Sequence, residues 1–389
     1  MTSANLHLFL SAIQHETRLV KEARATLAMG LFSRVRVLGL WEDGLPVTDA
    51  HPSGMEIRRV RTLLLVLKAR WTTIPSGLKR VLAAFSLLQY ALAAAWEALK
   101  IRPTHVSCHN LILLPIAWMA AKLGGSKLIY VPHELEVERT GLPAGAKRLF
   151  EPLERFFIRS CASVVVVCEP IADWYSRRYA LRNVVVVRAI PDICLPASGA
   201  TDRERIRRAH GVPEDALLFI YQGVLAAERG IDELLKTFRD LDDPRLHLML
   251  MGYGERETRI KEAVRQCPRI HFQPAVAIDQ INMYSRAADV GIFVIGDPLS
   301  LSYQLCLPNK FFEYLYADLP VIVSENLRHL AEVVQSHNIG WVTSTERLSE
   351  FVKSVEPSSL AVVRPAVKAY IASNTWATER MHYRAVYAQ

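Results

Sequence analysis

The chain has six cysteines and no pairing pattern among them. Cys108, Cys161, Cys168, Cys194, Cys267 and Cys306 are scattered, with no C-x-x-C spacing. That argues against a disulfide framework and a structural zinc, and reads as the reduced thiols of a cytoplasmic protein. The N-terminus lacks a basic stretch followed by an apolar core, so no signal peptide is expected. No helix-turn-helix or RNA-binding signature accompanies the basic residues, which sets nucleic acid aside as a partner. The loop after the first expected strand, Gln14-His-Glu-Thr-Arg18, holds no glycine.

What is present fits two domains. The length of 389 residues exceeds one ordinary core, and 51% apolar residues suffice for two. The net charge of +8 is unevenly spread: residues 1–190 hold 25 Lys and Arg against 14 Asp and Glu, while residues 191–389 hold 22 against 25. Residues 51–100 alone carry eight basic and two acidic side chains. Within them Val81 to Leu99 is strongly apolar, with Phe85, Leu88, Leu92, Trp96 and Leu99 at helical spacing and Trp71 upstream. Ser86, Gln89 and Glu97 interrupt the run, so a spanning helix is not expected. Two readings stand: a helix packed on its own sheet, or an interfacial helix drawn to an anionic membrane surface through residues 56–100.

Short apolar runs alternate with helical patterns along the chain. Leu6–Leu10, Val35–Leu40, Arg59–Val66, Lys127–Val131, Ser163–Cys168 and Val184–Arg188 read as strands. A helix from Thr17 to Met29 closes at Gly30, and another from Leu113 stops at Gly124-Gly125. The same alternation resumes at Ala216-Leu-Leu-Phe-Ile-Tyr-Gln-Gly223. This predicts an α/β protein of two doubly wound parallel sheets. The expected division is 1–192, a linker over 193–212, a second domain over 213–371, and a helix over 372–389 that returns to the first domain.

Ser302 to Ser324 is the most informative stretch. Val290–Ile295 and Pro320–Ser324 read as buried strands. Between them Pro308 suits a helix start, Asn309–Ala317 supply two or three turns, and Asp318 tolerates the left-handed turn that ends them. A loop running into a helix N-terminus presents unpaired N–H groups to phosphate. Lys310 adds a charge in that first turn, unfavourable there unless an anion faces it. Glu313, one turn on, is placed to accept from a sugar diol. An ordinary crossover with a solvated Lys and Glu is the plainer reading of the same residues.

Leu-Pro-Asn-Lys-Phe-Phe-Glu-Tyr followed by Leu-Pro-Val-Ile-Val-Ser resembles the donor-site helix of retaining glycosyltransferases of family 4, which have the GT-B fold, in its Pro-Asn-Lys subgroup. The resemblance implies two Rossmann-like domains facing a cleft, the second holding a UDP- or GDP-linked sugar and the first an acceptor. It assigns donor contacts to Pro308, Asn309, Lys310 and Glu313. Where many members carry a further Glu eight residues before Glu313, this chain has Leu305. Tyr221-Gln-Gly-Val-Leu-Ala-Ala-Glu-Arg-Gly230 is similar to the second donor motif, with Val224 in place of its first basic residue and Arg229 keeping the second. Gly223, Gly252 and Gly254 are then expected near the phosphates.

In the first domain the resemblance places His109 at the transferred sugar, and His15, Glu16, Arg18, His133 and Glu134 on the acceptor side. It implies catalytic roles for His109, Arg229 and Lys310, no metal and no cofactor. The expected activity is transfer of a sugar to a glycan or lipid-linked acceptor in bacterial surface polysaccharide synthesis, at the inner face of the cytoplasmic membrane. A GT-B nucleotide-sugar epimerase and a non-catalytic GT-B scaffold subunit are the alternatives.

Overall fold

The computed structural model describes residues 3–14, 16–70, 75–139, 141–142, 145–192 and 200–388. His15, Trp71, Cys194 and the first part of the expected linker lie outside them. The chain forms two units. The first runs to Arg188 and takes back the residues from Arg380 onward; the second spans Ala189–Glu379.

The first unit is built on an eight-stranded sheet of β1 (Ala4–Leu8), β2 (Arg34–Leu40), β3 (Thr48–Ala50), β4 (Glu56–Val60), β5 (His105–Cys108), β6 (Lys127–Tyr130), β7 (Ser163–Val166) and β8 (Val184–Val186). Their spatial order is β3-β4-β2-β1-β5-β6-β7-β8. All neighbours are parallel except β3, which runs against β4. Strands β1, β5 and β7 are buried along their whole length, as a sheet covered on both faces requires. The order reverses between β1 and β5, paired Leu8 to Cys108 at their carboxyl ends. Open sheets bind ligands at such a switch point.

Two expectations for this unit need correction. Arg59–Val66 is not one strand: β4 ends at Val60, and Leu63–Arg70 is a helix. The apolar run Leu63–Leu67 fits a helix as well as a strand, and no periodicity arbitrates at that length. The long apolar helix, Ser76–Ile101, packs one face against its own unit and leaves the other exposed. Its inner face buries Leu82, Tyr90, Ala94 and Ala98. The three polar interruptions also serve this docking. Gln89 accepts from the Leu63 amide at 2.9 Å, Ser86 from the Leu64 amide at 3.4 Å, and buried Glu97 from Arg36 at 2.8 Å and from Arg58. Its outer face leaves Val81, Phe85, Leu88, Leu92, Trp96 and Leu99 exposed, Trp96 at 61% and Leu92 at 64%. This is the one helix among the described residues long and apolar enough, by length and composition, to cross a membrane.

The expected returning helix is two short ones, Trp376–Glu379 and His382–Tyr387. Only the second belongs to the first unit. There the Tyr387 hydroxyl accepts from Asn5 at 3.1 Å and donates to Glu22, while Ser163 donates to the Val386 carbonyl at 3.0 Å.

The second unit holds β9 (Leu217–Val224), β10 (Leu246–Tyr253), β11 (Ile270–Pro274), β12 (Val290–Phe293), β13 (Val321–Ser324) and β14 (Gly340–Thr343). They are all parallel, in the order β11-β10-β9-β12-β13-β14. Its switch point lies between β9 and β12. The helix Ala200–Ala209 is tied to this sheet by Arg207, which donates to Asp289 at 3.1 Å.

Candidate active site

Strand β9 emerges at the second switch point as Gln222-Gly223-Val224, beside the helix Asn309–Tyr316. Pro308, extended at φ −76° and ψ 154°, begins that helix, and no side chain caps it. Asn309 stands exposed at its first position, and Asp318 ends the turn beyond it at φ 63°. Lys310 points inward from the first turn. Its Nζ lies 3.8 Å from the Tyr221 ring centre and 4.2 Å from that of Phe293. Among the described residues no hydrogen-bond acceptor reaches it. Burial, then the charge of Arg229, pulls the Lys310 pKa well below its ordinary value, with Glu313 opposing.

The role of Gly223 follows from this placement. A Cβ on Gly223 would sit 3.4 Å from the Lys310 Nζ. The ammonium group therefore lies against the Gly223 backbone, one residue before Val224.

Arg229 lies in the short turn Ala227–Arg229, its guanidinium 4.9 Å from the Tyr303 ring centre. Its Nε is buried without a partner among the described residues. Glu313, half-buried, accepts from Gln222 Nε2 at 2.5 Å. Gln222 Oε1 in turn accepts from Ser285 at 2.5 Å, and the Gln222 amide donates to the Tyr314 hydroxyl at 3.0 Å. Gln222 and Ser285 thus hold the carboxylate in place. Sequence reasoning missed both, since their partners lie tens of residues away and no local spacing marks them. Leu305 ends the short helix Leu301–Leu305 and is half-buried.

Gly252 permits a close approach of two backbone strands. It pairs with Gly223 across β9 and β10 and adopts φ 152°. A Cβ there would fall 1.8 Å from the Gly223 carbonyl oxygen, and one on Gly254 2.5 Å from that of Leu225. Gly252→Ala combines left-handed strain with a backbone clash, so a loss of about 3 kcal/mol is expected. A urea midpoint unchanged from the parent protein would contradict it.

At the switch point of the first unit, His109 is fully buried. Its Nε2 lies 2.9 Å from His7 Nδ1, and its Nδ1 lies 3.3 Å from Nε2 of half-buried His133. Both His109 nitrogens are thus engaged, and His133 is the more exposed ring. Burial holds His7 and His133 down to about 3 and His109 well below the ordinary imidazole value, with neighbouring rings adding to the fall for His109. All three are neutral near pH 7. Arg18 is buried, reaching the carbonyls of Pro132 at 3.5 Å and Val165 at 3.4 Å, and so braces the ends of β6 and β7. Glu16 occupies the cap position of the helix Thr17–Ala28, and Glu134 is half-buried after β6. The carboxyl with a raised pKa near this turn is Glu136, which sequence reasoning passed over; burial pushes it up to about 8.

Two family models match the chain: a glycosyl transferase 4-like domain over residues 16–189, and glycosyl transferases group 1 over residues 202–357. Among solved structures, HepE of Anabaena in complex with UDP-glucose is similar at a TM-score of 0.73 and 14% identity, over 99% of this chain and 100% of that one. Sucrose-phosphate synthase from Thermosynechococcus elongatus is similar at 0.74 and 16%, over 100% and 98%. WaaG, a glycosyltransferase involved in lipopolysaccharide biosynthesis, is similar at 0.67 and 15%, over 98% of each chain. No curated protein matches the sequence.

Proposed function

Starting from a glycosyltransferase of the GT-B fold, its two domain types in the expected order, we propose a retaining enzyme that moves a sugar from a UDP- or GDP-linked donor to a glycan or lipid-linked acceptor in bacterial surface polysaccharide synthesis. The observation that carries it is Lys310, a buried ammonium without an acceptor among the described residues, beside Gly223 and under the charge of Arg229. Cleavage of a glycosyl phosphate develops negative charge on the departing diphosphate. Arg229 and Lys310 supply the matching positive charge where it forms, and Arg229 has the fork to grip two oxygens. Because side chains neutralise that charge, the reaction needs no divalent ion. Glu313, steadied by Gln222, accepts from the donor's ribose. The UDP-glucose complex of HepE favours uridine as the base.

The test is nucleotide release from a panel of UDP- and GDP-sugars, with and without bacterial membrane extract. Release stimulated by the extract supports the reading. Interconversion of free nucleotide sugars without an acceptor would make the protein an epimerase, and inertness with every donor would leave a scaffold.

The acceptor reading draws on the exposed outer face of Ser76–Ile101, which lies within the most basic stretch of the sequence. That face would lie on the inner surface of the cytoplasmic membrane, its apolar side chains in the headgroup boundary. In liposome flotation at low salt, the protein is expected to float with anionic vesicles. Leu92→Glu with Trp96→Glu should lower the bound fraction at least about tenfold, since each buried apolar side chain contributes about 1.5–3 kcal/mol. Equal flotation with neutral and anionic vesicles would remove the electrostatic part of this proposal.

A further inference from the structure

Three histidines of the first unit form a connected series that the transfer chemistry above does not use. His133, His109 and His7 are joined ring to ring at 3.3 and 2.9 Å. At the inner end, a carboxylate oxygen of Glu22, a ring nitrogen of His7 and one of His109 lie within 4.8 Å of one another, all fully buried. Glu22 Oε1 accepts from Tyr387. Glu22 Oε2 and His7 Nε2 are both buried without a hydrogen-bond partner among the described residues.

We propose that His7 and Glu22 are positioning residues for His109 and His133. The protonation of Glu22 then sets, through three imidazoles, whether His133 presents a lone pair or an N–H at its outer nitrogen. The inference rests on the transferase reading only for its catalytic readout.

A neutral imidazole has one N–H and one lone pair, so a series of neutral rings must be polarised one way throughout. No hydrogen bond joins Glu22 Oε2 to His7 Nε2 in this structure; the relay requires the two to close to hydrogen-bond distance, and an ionised Glu22, which only accepts, then calls for N–H at His7 Nε2. His7 Nδ1 then accepts from His109 Nε2–H, His109 Nδ1 accepts from His133 Nε2–H, and His133 Nδ1 is left as a lone pair. In that state it can accept from an acceptor hydroxyl. A protonated Glu22 reverses every bond, and His133 Nδ1 carries a hydrogen instead.

The conversion balances. One proton enters at His133 Nδ1, the Nε2 proton of each ring passes inward to the next acceptor, and Glu22 Oε2 receives the last. Each ring stays neutral at both ends of the process, and one proton is taken up in all. With the Glu22–His7 contact closed, the series is also a route by which this buried carboxyl reaches solvent protons.

The groups around Glu22 bear on where this happens. Burial raises its carboxyl to about 7, against the Tyr387 hydrogen bond and the charge of Arg18 on its own helix, which lower it. Burial lowers the Arg18 pKa, with Tyr383, Glu22 and Tyr387 opposing, while His7 and His109 come from β1 and the end of β5. The switch therefore falls close to neutral pH.

The test uses the full chain labelled with ¹⁵N-histidine, read by long-range ¹H–¹⁵N correlation between about pH 5.5 and 8.5. The expected result is three neutral rings that change together from the Nδ1–H to the Nε2–H form as pH rises through about 7. Glu22→Gln, whose amide accepts from Tyr387 and donates to His7, should hold all three in the Nδ1–H form throughout. His7→Phe should uncouple His109 from Glu22 and abolish the step.

With UDP-glucose and membrane extract, kcat of the parent protein should be about tenfold lower at pH 6 than at pH 8, following the ionised fraction of Glu22. The Glu22→Gln profile should be flat. A tautomer step that persists unchanged in Glu22→Gln, or rings that titrate independently, would overturn the proposal. So would one equivalent of a transition metal bound by these residues in the purified protein. Should no donor be cleaved at any pH, the transferase reading fails, while the tautomer spectra still decide the relay.

Discussion

Replacing Lys310 with methionine or alanine is expected to lower turnover by about two to three orders of magnitude, the scale of losing one transition-state charge contact. The same change should make the protein more stable. An ammonium group buried between two rings, with no acceptor among the described residues, is poorly solvated, and replacing it with an apolar group of similar volume removes that cost. Lys310→Met should therefore raise the urea midpoint, by an amount on the order of 1 kcal/mol, while abolishing most activity. A lysine that served only packing would lose both together. Arg229→Ala is expected to reduce turnover by a similar two to three orders of magnitude, and Arg229→Lys to recover only part, because the fork is lost although the charge stays. Near-normal turnover in both purified alanine variants would reject their assigned roles.

Acidification is the second large perturbation, and it acts on stability. Burial holds His7, His133 and His271 down to about 3 and His105 to about 4, and lowers His109 and His247 as well. Below about pH 6.5 the unfolded chain takes up protons on these rings while the folded chain does not. Unfolding then gains up to about 1.4 kcal/mol per pH unit for each fully buried ring. Three carboxyls run the other way. Glu22 is raised to about 7, Glu136 to about 8, and Glu154, among Tyr130, Tyr175 and Tyr179, is raised by burial despite their hydrogen bonds. Above about pH 4.5 the folded chain keeps protons on these groups that the unfolded chain has released, so their effect is to lower stability as pH rises toward 8.

The imidazoles outnumber the carboxyls. Stability should level off above about pH 6 to 7, where the raised carboxyls and the depressed Lys310 oppose each other, and collapse as pH falls toward about 4, where the carboxyls no longer oppose and the accumulated loss rivals a typical 5–15 kcal/mol. Urea midpoints measured across about pH 4 to 8.5 would show this; a constant midpoint between pH 7 and 4 would refute it.

The fold was largely legible because its strands announce themselves. Ser163–Val166 is apolar enough to be a covered parallel strand, and Pro308 and Asp318 bracket their helix by backbone preference alone. The segment from 56 to 70 was not, since an apolar run too short to show a period suits either element. The faces of Ser76–Ile101 were also hidden: a stripe at helical spacing looks the same whether it meets a sheet or solvent. Only the partners of Ser86, Gln89 and Glu97 reveal which side is inward. At the site, motif residues could be named from their spacing, but not what steadies them. Gln222 reads as a strand residue until Glu313 and Ser285 are brought against it, and His7 reads as ordinary core until His109 arrives 102 residues later.

The tie between Tyr387, Asn5 and Glu22 has a bearing on how the protein is made. The first unit lacks the Tyr387 donor to the buried Glu22 carboxyl until residues 380–388 have been synthesised, roughly 190 residues after Arg188. At about 5–20 residues per second that is a delay of roughly 10 to 40 s on the ribosome. During it the early half must wait with an open seam beside β1 while the later half is translated, so the half that is written first is the one finished last.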